Sequence, residues 1–203
     1  MGWLRNRLVF PDDAWEEAAR KLDGEFVKGR WLANSEIRLL HRNHPITLDV
    51  EFGADDDSTQ YTRAVPHVAL DPSIKLEMLP QVKGLLGPIV SGLAARTVAT
   101  IKIPALGEDY FVLGDDEELA NNILGHRDFL SALSGLTQNP RVFVGQTSSV
   151  DLLADETEQD EDNFYVSVRG VLKDIHQLAA LADLTRVLLD VLDENGCLAE
   201  AGS

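Results

Sequence analysis

Ile46, Leu48, Val50 and Phe52 alternate with Thr47, Asp49 and Glu51, the two-residue period of a strand with one buried face. Similar strand-like runs cover Glu25 to Leu32, Glu36 to His41 and Tyr61 to Leu70, and Ile74, Leu76 and Met78 alternate again. Arg42 and Asn43, between His41 and His44, predict a tight hairpin turn, and Pro66 predicts a bent or edge strand. Further strands are read at Val98 to Ile103, Tyr110 to Leu113, Val142 to Gly145, Ser149 to Leu153 and Phe164 to Val171.

Helical spacing appears first over Asp12 to Leu22, where Ala14, Trp15, Ala18, Ala19 and Leu22 recur on one face and Gly24 follows as a stop. Asp13 with Glu16, and Asp115 with Glu118, have the spacing of a capping box. The second of these opens a helix through Leu124, and another run covers Asp128 to Thr137. The clearest helix is the last. Asp174 and Gln177 open it with the spacing of a third capping box, and Ile175, Leu178, Leu181, Ala182, Leu184, Leu188, Leu189 and Leu192 give it a broad apolar face. Asp183, Arg186, Asp190 and Asp193 form its narrow polar stripe, and Asn195 and Gly196 end it.

Strands joined by short turns, with few helices between, imply an α+β fold: a mostly antiparallel sheet packed by the long C-terminal helix and shorter helices. One domain over residues 1–203 is expected, with an N-terminal arm at 1–10 and an acidic loop at 154–163. Each half runs roughly helix, strands, helix, but no residue-level repeat supports a duplication.

Charge narrows the partners. There are 34 Asp and Glu against 18 Lys and Arg, a formal net of −16. A surface so negative repels nucleic acid and anionic lipid, while an apolar fraction of 44% is enough for a real core. Arg outnumbers Lys, and abundant acid with little Lys also suits a high-salt cytoplasm. Cys197 is the only cysteine, so a disulfide framework and a Cys-based zinc site are excluded. The first ten residues lack a signal-peptide core, and Leu79 to Ala95 is too short and too broken by Lys83, Pro88 and glycines to span a membrane. A soluble cytoplasmic protein is expected.

The motifs that could carry chemistry each have an ordinary reading. The acidic run Asp155 to Asp162 lacks the glycine and ligand spacing of an EF-hand, and Asp55 to Asp57 falls in another polar loop. His41 and His44, with Asp49 nearby, lack a third defined metal ligand. Asp174 beside His176 suits a helix cap better than an imidazole partner. Gly84, Gly87 and Gly92 lack the Gly-Lys-Ser/Thr of a phosphate loop, no Gly-x-Ser-x-Gly elbow occurs, and Cys197 lies in the C-terminal tail. No cofactor, metal or catalytic residue is assigned.

Two segments interrupt the acidity. Trp3, Leu4, Arg5 and Arg7 begin a short basic, aromatic arm suited to a partner's acidic face, or more weakly to a membrane surface. Leu85, Leu86, Ile89, Val90 and Leu93 lie in an apolar, glycine-containing stretch, and if exposed would form a binding patch. The helix Trp15 to Leu22 running into Gly24 and Phe26, and the stretch Tyr110-Phe-Val-Leu-Gly-Asp-Asp-Glu-Glu-Leu-Ala, resemble certain uncharacterised bacterial α+β domains of unknown function. The resemblance touches about a third of the chain and implies no activity. The expected role is a non-catalytic protein-interaction or assembly module. The alternatives are a carrier of an apolar ligand or lipid between the sheet and the last helix, and an enzyme using loop carboxylates near Asp55 or Asp109.

Overall fold

Alternation in the strands is realised as a two-faced sheet. The computed structural model describes residues 11–29, 34–52, 59–81, 99–145 and 163–199. In chain order these form α1 (Asp12–Lys21), β1 (Glu25–Val27), β2 (Glu36–His41), β3 (His44–Phe52), β4 (Gln60–Pro66), β5 (Lys75–Pro80) and β6 (Ala99–Ile101). A 3₁₀ turn (Pro104–Leu106), β7 (Tyr110–Gly114), α2 (Glu117–Leu124), α3 (Arg127–Leu133), β8 (Arg141–Gly145), β9 (Phe164–Arg169) and α4 (Ile175–Glu194) follow. Among the described residues the strands make one nine-stranded sheet in the order β1-β2-β3-β4-β9-β8-β5-β7-β6, and every ladder in it is antiparallel. With the long α4, this is the α+β arrangement that the patterning implies.

β1 to β4 form a meander, and β4 joins the rest of the sheet through β9 alone, with Thr62, Arg63 and Ala64 opposite Val168, Ser167 and Val166. Arg42 and Asn43 both take positive φ, 46° and 71°, between the paired His41 and His44. That is the two-residue primed turn whose twist matches a hairpin. Pro66 ends β4, two residues beyond the last β9 pair, so its missing N–H costs no bond to β9. β4 is therefore an interior strand, which excludes the edge position, one of the two readings (bent or edge) that its proline suggests. β1 is also shorter than expected. Residues 28 and 29 have left the ladder, and Leu32 lies outside the described residues.

The four described helices lie on one sheet face. Ile37 and Leu39 of β2, Ile46, Leu48 and Val50 of β3, and Val166 and Val168 of β9 join Trp15 and Ala18 of α1, Phe129 of α3 and Leu178, Leu181, Leu184, Leu188 and Leu192 of α4 in one buried cluster. The Trp15 indole N–H donates to the carbonyl of Leu172 at 2.8 Å, so its polar atom is satisfied inside the core. A smaller buried cluster, Val65, Phe143 and Tyr165, sits on the opposite face, with the two rings 5.2 Å apart. Glu77 and Arg141 flank it, the guanidinium donating to the carboxylate at 2.8 Å and lying over the Tyr165 ring at 5.2 Å.

The polar stripe of α4 makes tertiary contacts. Arg186 donates to the carbonyl of Leu22 at the end of α1, and Asp190 pairs with His41 at 2.7 Å and Arg42 at 3.2 Å. The C-terminal residues are anchored as well, because Leu198 bridges Leu70 and the Ala199 N–H donates to the Ala69 carbonyl.

The caps correct the sequence reading in detail. Asp174 caps α4 as expected, accepting from the N–H groups of His176 and Gln177. Gln177 does not complete a box; its side chain accepts from Thr137 and donates to the Gly135 carbonyl, fastening the α3–β8 connection to α4. α2 is capped by Asp116, which accepts from the Leu119 N–H, while the expected Asp115 faces Lys75 at 3.7 Å. α1 has no side-chain cap: Pro11 holds the cap position, and Asp12 binds Lys28 and Ser35 instead of an amide. The Lys28 ammonium beside it, then Ser35, hold the Asp12 carboxyl below its ordinary value. Substitution should separate these roles. Asp174→Ala and Asp116→Ala are each expected to lose about 1 kcal/mol in urea denaturation, while Asp13→Ala and Asp115→Ala stay within about 0.5 kcal/mol of the parent.

Candidate functional site

The face that none of the described helices covers, the helix-free face, is built from the outward positions of β2, β3 and β4. Because strand side chains alternate, burying Ile37, Leu39, Ile46, Leu48 and Val50 under the helices turns Glu36, Arg38, Leu40, Thr47, Asp49 and Glu51 the other way. Near the β2–β3–β4 end a shallow groove of about 460 Å³ runs across this face, walled by Glu36, Arg38, Thr47, Asp49, Val65 and His67.

Its charged groups are paired in place. Arg38 donates to Glu36 at 2.7 Å, and the Thr47 hydroxyl and the His67 ring are 2.8 Å apart. Arg63, with a side chain only 10% exposed, grips Asp49 in a two-point contact of 3.0 and 2.9 Å and reaches Glu51 at 2.8 Å. Leu40 stands beside the groove, cross-strand from Pro45 at its rim, and is 65% exposed. A second hollow lies between α2 and α3 around Asn121, Gly125, His126 and Asp128. There the His126 ring is used to cap α3 through the Asp128 N–H.

The residues singled out in the sequence fare differently. Trp3, Leu4, Arg5 and Arg7, and Leu85, Leu86, Ile89, Val90 and Leu93, lie outside the described residues. So do Asp55 to Asp57, the run Asp155 to Asp162 and the strand read at Ser149 to Leu153. His41 and His44 are cross-strand neighbours, but His41 is bound to Asp190 and Asp49 sits on the opposite face with Arg63. Those three do not converge. Among the described residues no group of three His, Cys, Asp or Glu side chains could hold a metal ion, and no helix is long and apolar enough to cross a membrane. Cys197 is buried, not frayed, and burial followed by the nearby Asp71 charge pushes its thiol up, away from the reactive thiolate.

Titration of the remaining groups reflects structure. Asp71 is lowered by hydrogen bonds from the Ser73 side chain and backbone within its own turn. Tyr110, packed at the rim of the main core, is pushed up to about 12 by burial, with the Asp109 charge adding to it. A tyrosine is neutral while protonated, so the unfolded chain, with Tyr110 at its ordinary value near 10, loses that proton first. Its contribution to stability is complete below pH 10 and is lost as pH rises to about 12. The parent is expected to lose stability between pH 9.5 and pH 11.5 more steeply than Tyr110→Phe, as measured by denaturant midpoints at the two pH values.

The groove itself could not have been picked out beforehand. Its residues read along the chain as the ordinary polar half of an alternating strand, and only the pairing of three strands brings them together. No family model, no curated protein and no solved structure matches this chain.

Proposed function

We propose that this chain is a non-catalytic protein-interaction or assembly module that meets a protein partner on the helix-free face of β2, β3 and β4. The observation that carries the reading is Leu40, a large apolar side chain 65% exposed beside a groove rimmed by paired charges. An exposed apolar anchor next to polar, ion-paired groups is a combination common in protein interfaces. The arm at Trp3, Leu4, Arg5 and Arg7 and the segment Leu85 to Leu93 remain candidate contacts of the same module. The net charge of −16 supports a partner other than nucleic acid, and the lone, buried cysteine suits a cytoplasmic setting.

The alternatives draw less support. A carrier needs room between the sheet and α4, and there Leu178, Leu181, Leu184, Leu188 and Leu192 are fully buried, with neither hollow beneath them. An enzyme that uses a carboxyl group as proton donor needs it held protonated near neutrality. Among the described residues, the carboxylates whose titration shifts, Asp12 and Asp71, shift downward.

Photo-cross-linking in cells from a reactive residue placed at Leu40 tests the reading, with the exposed Lys102 as the control position. A discrete protein adduct at 40 that is absent at 102, and that Thr47→Arg abolishes without lowering the melting temperature, is expected. Equal labelling at both positions, or no adduct at 40, removes this face as the binding surface.

A further inference from the structure

We draw no further inference here: the strongest candidate, the shallow groove on the helix-free face of β2, β3 and β4, belongs to the surface already proposed for binding, and nothing among the described residues shows which partner fills it.

Discussion

Trp15→Ala is expected to leave the chain barely folded at room temperature. The indole is fully buried, so its removal opens a large void in the cluster that joins α1, α4 and the sheet. It also strands the Leu172 carbonyl, which then has no indole N–H to accept from. Truncations of this kind cost roughly 3–5 kcal/mol, against a total stability of about 5–15 kcal/mol for an ordinary domain. Trp15→Phe separates the two contributions. It refills much of the void but still leaves the carbonyl unsatisfied, and about 1–3 kcal/mol is expected from that group and the residual gap. Urea denaturation followed by circular dichroism measures both. Equal losses for the two variants would show that packing volume at this position counts for little.

Arg63→Met is expected to be the second most damaging change, although it substitutes an apolar residue at a nearly buried site. Asp49 and Glu51 lie two positions apart on β3, on the same face, and are held together by the one guanidinium between them. Without it, Asp49 loses its two-point partner and Glu51 loses one of its partners, and the two partly desolvated carboxylates face each other across an apolar side chain. Breaking a fully buried pair costs about 3–5 kcal/mol. With the carboxylate side chains 27% and 33% exposed, solvent relieves part of this, and about 2 kcal/mol is the expected loss. The cause is identifiable, because neutralising both acids, Asp49→Asn with Glu51→Gln, should recover most of the stability in the Arg63→Met background. A triple variant no more stable than Arg63→Met would place the loss in packing, not in uncompensated charge.

What could be read from the residues and what could not divides by range. α4 is legible because twenty residues repeat one apolar stripe, and β3 because nine residues alternate without a break. The Arg42–Asn43 turn is legible because its chemistry is complete within four residues. The failures are tertiary. Asp13 has the local spacing of a cap, yet α1 begins at Pro11–Asp12 because Asp12 is drawn to Lys28 and Ser35, sixteen and more residues away. Pro66 argues for an edge only while β9 is unknown, and β9 begins at Phe164. The ion pair of Glu77 with Arg141 spans 64 positions, and nothing near either residue announces the other. The binding face is harder still, since it is made of residues whose spacing predicts only that they point away from the core.

The β4–β9 seam has a consequence for a chain made from its N-terminus. β4 leaves the ribosome roughly a hundred residues ahead of its neighbour, since Ala64 waits for Val166. Until then the β1–β4 meander ends in an open row of backbone donors and acceptors, the kind of edge that recruits strands from other chains. Arg63, at the middle of that row and already within reach of Asp49 and Glu51 on β3, puts charge on the exposed strand during the wait. The side chain that holds two acids in the finished sheet is thus also the charged residue at the middle of that waiting edge.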